Sequence, residues 1–336
     1  MDLYHSNCAE CNSERTCVHS TYTTKSNGIR NLLKCKECGV IFSETAHTFL
    51  FNLKTPISKI ALVLNSRTEG MSFNATCRVH NISTHTLQDW ESRFSELKDT
   101  LLLYSLSQSF LSVVIEGDEL YTKVGSNQAQ HLSEGWTIML LERSSRFILD
   151  LACGEKDKAL FQEAIEVFCK LMNQSKDITL LTDGERRYSN ILFDICYDLL
   201  RNGKRGRPKK VLPKGVQVKL KNKGSQAHKK GPKRQKYQTP KPEHPETQST
   251  ICDEDIHANH TEAQNAALRR KNSAFRRKTN TYAKNKDALQ RTLDVYWCIH
   301  NFVRKHYTTK IVPAVKAGIL KESLTMLDMM KIKTVF

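Results

Sequence analysis

The spacing of apolar residues first indicates a group of short helices. Thr55-Pro56 is typical of a helix start, a second helix is predicted over 73–79, and Ser83 or Thr84 would cap a third. The apolar residues at helical spacing are Ile57, Ile60, Ala61, Leu64, Leu87, Trp90 and Phe94. Short helices joined by tight turns predict an all-α helix-turn-helix unit, which we place at residues 51–100.

From Leu111 the apolar residues form short runs typical of strands. The predicted strands are 111–124, 136–141, 147–152 and 177–182, with helices over 158–172 and 188–200. The order strand, strand, strand, helix, strand predicts an α/β ribonuclease-H-like domain over 108–310. Leu289 to Phe302 and the C-terminal helical segment 311–336 predict further packing, with Trp297 and Phe302 in the core.

Four cysteines form two CxxC pairs separated by 23 residues. This spacing predicts a zinc ribbon over residues 1–50, in which four thiolates close a tetrahedral and therefore structural zinc site. So small a segment buries little apolar surface, so metal binding would supply much of its folding free energy. The predicted ligands are Cys8, Cys11, Cys35 and Cys38, and Cys17 or His19 could replace one of them.

Three acids are placed where carboxylates could converge. Asp118 and Asp183 each follow an apolar run, and Glu262 opens a stretch that reads as a helix. Two strand carboxylates and one helix carboxylate can hold two divalent cations about 4 Å apart for displacement at a phosphodiester. The plain alternative is that acids after strands are turn residues. Asp253, Glu254 and Asp255 are rivals to Glu262.

The charge of the chain points to a polyanionic partner. It has 52 Lys and Arg against 35 Asp and Glu, a formal charge of +17 and a sequence pI near 9.4. Residues 201–240 hold 15 Lys and Arg and no acid. Because the excess is concentrated, nucleic acid is the first candidate partner.

Several residues are candidates for DNA contact. The third helix of the helical unit could enter a major groove, although a plain three-helix packing unit is the alternative. The 204–210 segment resembles an AT-hook in a basic insertion over 201–250, for which a solvated linker is the alternative. A further predicted helix carries Glu262, Asn265 and Arg269 on one face. The amide of Asn265 and the guanidinium of Arg269 would there point toward DNA phosphates. The candidates are Thr84, His85, Gln88, Arg93, Arg205, Arg207, Lys209, Lys210, Asn265, Arg269, Arg276 and Arg277.

With these motifs in order, the chain resembles an insertion-sequence transposase of the DDE class, most closely the insertion-sequence-one type. The resemblance rests on the paired cysteines, the helix-turn-helix pattern, Gly117-Asp118-Glu119, Thr182-Asp183-Gly184, the 204–210 run and residues 257–269. It implies that Asp118, Asp183 and Glu262 hold Mg²⁺ or Mn²⁺. It also implies that the N-terminal modules bind terminal inverted repeats of double-stranded DNA, and that a homo-multimer pairs two DNA ends.

The expected location is the cytoplasm of a prokaryote, with the protein associated with the nucleoid. The N-terminus has no signal-peptide pattern and no apolar stretch is long enough to span a bilayer, so no membrane partner is expected. Two other hypotheses remain open: a DNA-binding regulator with an inactive ribonuclease-H-like domain, and a nuclease that cuts without joining.

Overall fold

The structure is a computed structural model with a mixed α/β fold. It describes residues 7–108, 114–126, 129–172, 178–182, 186–201, 203, 206–220, 259–277 and 280–334. Asp183 and Arg205, together with residues 221–258 of the basic segment, lie outside these ranges. Within them, no helix has both the length and the apolar character needed to cross a membrane.

Residues 7–50 form an N-terminal module with its own small core. Strands β1 (Thr16–Thr24), β2 (Gly28–Cys35) and β3 (Ile41–Ser43) make an antiparallel sheet in that order. Its buried residues are Cys8, Leu33, Cys35, Phe42 and Ala46. Because these few side chains contribute little burial free energy, the module needs a further source of stability.

The predicted helices form a helical unit of α1 (Ile57–Thr68), α2 (Phe73–His80) and α3 (Thr84–Ser95), continued by α4 (Leu97–Leu106). Ser83 caps α3 as expected, because its side chain accepts a hydrogen bond from the N–H of Thr86.

Thr55 is not the cap of α1. The N–H of Ile57 donates instead to Asn27 Oδ1 at 3.0 Å. The Asn27 amide also donates to the Thr55 carbonyl at 3.0 Å. An asparagine in the β1–β2 turn therefore ties the N-terminal module to the first helix, a contact that local sequence cannot reveal.

A five-stranded sheet forms the centre of the chain. It contains β4 (Val114–Tyr121), β5 (Trp136–Glu142), β6 (Ile148–Gly154), β7 (Ile178–Thr182) and β10 (Val216–Leu220), in the order β10-β7-β4-β5-β6. Neighbours β4, β5 and β6 are antiparallel, whereas β7 is parallel to both β4 and β10. Helix α5 (Lys158–Met172) connects β6 to β7, as predicted.

Two predicted boundaries were wrong. The first strand ends at Tyr121, not at residue 124. The helix predicted over 188–200 is α6 (Arg186–Ile195), followed by β8 (Asp198–Leu200), which pairs with β9 (Lys209–Val211). Because pairing with β9, which begins at Lys209, satisfies the backbone of 198–200, it outweighs the local helical pattern. Strand β10 lies inside the predicted insertion 201–250, at the Val216–Leu220 run for which the sequence also indicates a strand.

Helix α8 (Lys286–Phe302) covers the edge of the sheet at β6, with Trp297 and Phe302 fully buried as predicted. The side chain of Asn301 accepts from the Ile148 N–H at 2.9 Å and donates to the Ile148 carbonyl at 2.8 Å. A side-chain amide thereby satisfies edge groups that another strand would otherwise bind.

The helical unit and the sheet share one hydrophobic core. Lys98 of α4 is buried between Asp150 of β6 at 3.3 Å and Asp294 of α8 at 2.9 Å. In the predicted helical segment 311–336, the described helices are the short α9 (Pro313–Lys316) and α10 (Met326–Lys331). Beyond them the chain returns to the N-terminal module, where the Thr334 N–H donates to the His47 carbonyl.

Candidate metal centres and nucleic-acid interface

The four predicted cysteines meet at one point. The sulfur atoms of Cys8, Cys11, Cys35 and Cys38 all lie within 4.8 Å of one another. Cys8 Sγ is 3.5 Å from Cys38 Sγ, and Cys11 Sγ is 3.6 Å from Cys35 Sγ. Tetrahedral Zn–S bonds of about 2.3 Å require sulfur separations of about 3.8 Å. The group could therefore hold a structural metal ion such as zinc.

The two CxxC pairs have the same local geometry. The N–H of Glu10 points to Cys8 Sγ and that of Glu37 to Cys35 Sγ, each at 3.4 Å. Four residues after the first cysteine of each pair, the backbone turns through a positive φ, 56° at Asn12 and 76° at Gly39. Asparagine and glycine are the residues that adopt this conformation most readily, so the sequence encodes both turns locally.

These backbone donors also favour the thiolate form. The N–H of Cys38 is the main cause that lowers the pKa of Cys35 to about 6, against the opposing effect of burial, whereas contacts with the other thiols help to raise the pKa of Cys11 and of Cys38. A lowered thiol pKa favours metal binding, because the thiolate is the ligand. The alternative ligands are excluded by position, since Cys17 and His19 are exposed on β1 and lie outside the four-cysteine group.

Asp118 lies in the middle of β4, opposite Met139, inside the strand that was predicted to carry it and beyond the apolar run that precedes it. The apolar run before it ends early, and pairing with β5 continues through Tyr121. The side chain is half-buried. Its Oδ1 accepts from the N–H of Glu119 at 2.9 Å and its Oδ2 accepts from the amide of Asn265 at 2.7 Å.

Asn265 belongs to helix α7 (Asn259–Lys271), which follows residues outside the described ranges. It was predicted to face DNA phosphates, and this is corrected: the side chain is 3% exposed and donates to Asp118. Its Oδ1 is buried with no hydrogen-bond partner among the described residues. Buried amide oxygens are usually hydrogen-bonded, so this one is an exception among the side chains beside Asp118.

Glu116 fixes the start of α7 on the sheet. This fully buried carboxylate accepts from the N–H of Thr261 at 2.9 Å and from its hydroxyl at 3.0 Å. The other carboxylate oxygen lies 2.7 Å from Arg143 Nε and 2.8 Å from His260 Nδ1. Burial raises the pKa of Glu116, but these hydrogen bonds more than offset it and lower the pKa below its ordinary value. A negative charge at the first turn also complements the helix dipole.

Helix α7 runs along β4 as a result. Thr261 contacts Glu116, Asn265 contacts Asp118, and beyond the helix the Ala274 carbonyl accepts from the hydroxyl of Thr122. Glu262 lies one turn before Asn265 on the exposed border of the docked face. That the Glu262 carboxylate shares an ion with Asp118 stays a prediction.

The third predicted carboxylate, Asp183, lies outside the described residues. Its predecessor Thr182 ends β7 as the register partner of Gly117, the residue before Asp118. Within the described part of the chain, the four cysteines are the group of metal-ligating side chains close enough to share an ion.

The predicted DNA-reading residues of α3 have different surroundings. Thr84, His85 and Gln88 are exposed. Arg93 is half-buried, and its guanidinium donates to the Phe51 carbonyl at 2.7 Å and to Asp89 at 3.1 Å. Arg93 therefore joins α3 to the preceding linker, and its assignment as a DNA contact stays a prediction.

The other predicted cations are also divided. Arg207, Lys209 and Arg277 are exposed, and Arg269 is half-buried. Lys210 Nζ lies 3.7 Å from the ring centroid of Tyr197. Arg276 is exposed but donates to the Gly70 carbonyl at 2.7 Å, a contact to the α1–α2 turn.

Sequence reasoning missed Glu116 and His260. One signal for Glu116 was present, because an acid inside the run Val114-Ile115-Glu116 interrupts an otherwise apolar strand. Strand alternation also puts it on the same face as Asp118. Its partner was not visible, since Thr261 is 145 residues away.

Sequence comparison with known proteins identifies no family for this chain. No protein-family model matches the chain, and a search of curated proteins found no matching sequence.

Proposed function

We propose that the chain is a DDE-type transposase that binds the terminal inverted repeats of its element and catalyses metal-dependent DNA cleavage and strand transfer. The observation that carries the proposal is the docking of α7 along β4, which sets the helix bearing Glu262 against the strand bearing Asp118. A regulator that only binds DNA gains nothing from acids placed next to phosphates.

The sheet supports a ribonuclease-H-like domain. Three consecutive antiparallel strands are followed, after a helix, by β7 parallel to the first of them, and β10 extends the same sheet. Asp118 then lies on the central strand, and the residue before Asp183 lies on its neighbour. This arrangement is the one that the proposed trio of carboxylates needs.

The residues near Asp118 fit a divalent cation. Carboxylate oxygens are the ligands that Mg²⁺ and Mn²⁺ prefer, and the orphan Asn265 Oδ1 adds a neutral oxygen beside them. Asp118, Asp183 and Glu262 would hold the ions. A bound cation of this kind supplies Lewis acidity, which activates a hydroxyl nucleophile and stabilises charge at the phosphodiester.

The side chains around the carboxylates have supporting roles. Asn265 holds the Asp118 carboxylate in one orientation by donating to Oδ2. Glu116 keeps the first turn of α7 in place and is a positioning residue. Arg269, two turns beyond Glu262 on the same side of the helix, is placed to contact a phosphate.

The rest of the chain would bind the DNA. The exposed Thr84, His85 and Gln88 are suited to reading a duplex, and the exposed Arg207, Lys209 and Arg277 to contacting its backbone. A homo-multimer would be needed to bring two element ends together. The N-terminal module, with zinc at its four cysteines, would contribute to recognition of the repeat.

The proposal is tested by assaying DNA strand joining with the Asp118→Asn and Asp183→Asn variants. Both variants should lose joining of a pre-nicked end while binding to that end is kept. Glu119→Gln is the matched control, because Glu119 neighbours Asp118 but pairs with Lys156 at 3.1 Å on the opposite face of β4. Retained joining in both variants would reject the proposal, and wild-type cleavage without joining would indicate a nuclease.

A further inference from the structure

A polar groove lies between the helical unit and the segment that leads into α8. Its volume is about 720 Å³. Helices α2 and α3 form one wall and residues 280–285 the other, while Asn272 and Ser273, which follow α7, lie between them. Two carboxylates line it: Glu91, which binds Arg67 at 2.6 Å and lies 3.8 Å from Arg291, and Asp287 in the first turn of α8.

The walls carry groups that bind nucleotides. Amides offer paired donors and acceptors to base edges, guanidinium and ammonium groups bind phosphate, and an aromatic ring stacks on a base. The residues that supply these groups are Asn74, Arg78, Gln88, Asn280, Tyr282 and Lys284. Lys284 Nζ lies over one face of the Tyr282 ring, 4.3 Å from its centroid, so a base would stack on the opposite face while Lys284 contacts a phosphate.

The size of the groove selects the form of the nucleic acid. Its volume is that of a site for one small ligand, about 300–1,000 Å³. A site of that size takes a small part of a strand, such as one or two nucleotides, rather than a length of duplex. Gln88 lines the groove, whereas Thr84 and His85 are not among its lining residues, so the exposed side chains of α3 serve two surfaces.

The groove is also near the carboxylates. Asn272 follows Asn265 by seven residues, about 10 Å along the axis of α7. Val124, beyond the end of β4, pairs with Ala283 of the opposite wall. A strand whose phosphate lies at Asp118 can therefore reach the groove within a few nucleotides.

The geometry points to this groove as a binding site for an unpaired stretch of one DNA strand next to the cleavage position, with a base stacked on Tyr282 and a phosphate at Lys284. This inference rests on the proposed function, which supplies DNA as the substrate. It adds that the enzyme binds an opened DNA end more tightly than a closed duplex.

Binding of a fluorescent 12-nucleotide single strand, measured by anisotropy without divalent cations, tests the site. Tyr282→Ala should raise the dissociation constant at least about fivefold, because stacking on an aromatic side chain contributes that much or more per base. Lys284→Ala should reduce the slope of log affinity against log salt by about 0.7. Asn74→Ala, at an exposed position that leaves the fold unchanged, should also weaken binding.

The matched controls are Tyr307→Ala and Lys310→Ala. Lys310 Nζ lies 4.0 Å from the Tyr307 ring, and this exposed pair lies outside the groove. Equal effects of the two tyrosine changes, no effect of Asn74→Ala, or a wild-type preference for closed duplex would each overturn the inference. If single-strand binding depends on Tyr282 while wild type joins no strands, the proposed function fails and the groove stands.

Discussion

The two candidate metal centres are built in opposite ways. Each pair of cysteines is organised by its own knuckle of a few residues, and the module around it buries few apolar side chains. Asp118 is oriented by Asn265 from 147 residues away, on a sheet packed into the large core. A site whose ligands are held by local turns in a small module needs metal for its stability. A site whose residues are held by contacts between distant parts of the chain depends on the packed fold for its geometry.

Removal of metal from the N-terminal module should produce the largest effect. Structural zinc contributes about 10–16 kcal/mol of binding free energy in small domains, so Cys35→Ala or chelation should unfold residues 7–50. The five-stranded sheet should remain folded. Hydrogen exchange of the β1–β3 and β4–β7 amides, together with the zinc content, measures the unfolding of the module and the persistence of the sheet. The control variant Cys17→Ala should keep one zinc per chain. Protected β1–β3 amides in metal-free protein would contradict the account.

Glu116→Gln should reduce the free energy of unfolding by about 3 kcal/mol, since it breaks a buried ion pair with Arg143. It should also lower strand joining, because α7 loses its anchor. Glu142→Gln is the control: this carboxylate is equally buried but accepts from Ser144 and Ser145 in the β5–β6 turn. Denaturant unfolding and joining rates should show that both variants lose stability and that activity falls further in Glu116→Gln.

The free energy of unfolding should also depend on pH through Glu116. Burial raises the pKa of Glu116, but hydrogen bonds from His260, Thr261 and Arg143 outweigh it and hold the pKa below its ordinary value. Its contribution to stability is therefore complete above the ordinary glutamate pKa and is lost as the pH falls through the lowered value. Unfolding measured from about pH 5 to about pH 3 should be less pH-dependent in Glu116→Gln than in wild type. Parallel curves of unfolding free energy against pH for Glu116→Gln and wild type would contradict this prediction.

Asn265→Ala should cost about 1.5 kcal/mol of unfolding free energy, the size of one hydrogen bond to a charged group. Activity should fall more than stability, because Asp118 loses its orientation. Asn301→Ala is the control, since this buried amide contacts the β6 backbone far along the chain from Asp118. Joining rates that follow thermal stability equally in both variants would mean that Asn265 has only a packing role.

Arg93→Ala should produce the smallest effect, about 0.5–1 kcal/mol, because its ion pair with Asp89 is partly exposed. Duplex affinity should remain unchanged. His85→Ala, at an exposed position of the same helix, should weaken duplex binding without loss of stability. Weaker binding by Arg93→Ala than by His85→Ala would support the assignment of Arg93 as a DNA contact.

The sequence was a good guide where structure is local. Apolar spacing predicted α1, α2, α3, α5 and α8, and cysteine spacing predicted the four-sulfur group. It failed where distant groups decide: the cap of α1 comes from Asn27, and β8 forms because it pairs with β9. The role of Asn265 was missed for the same reason, since its partner Asp118 is contributed by another part of the fold.

Manganese binding is the most direct test of the central claim that α7 sets Glu262 beside Asp118 at a cation site. Electron paramagnetic resonance of Mn²⁺, titrated into the zinc-loaded protein, counts bound ions without relying on activity. Wild type should bind Mn²⁺, and Asp118→Asn, Asp183→Asn and Glu262→Gln should each weaken it, whereas Glu119→Gln should not. Binding that is unchanged by Glu262→Gln would contradict the account.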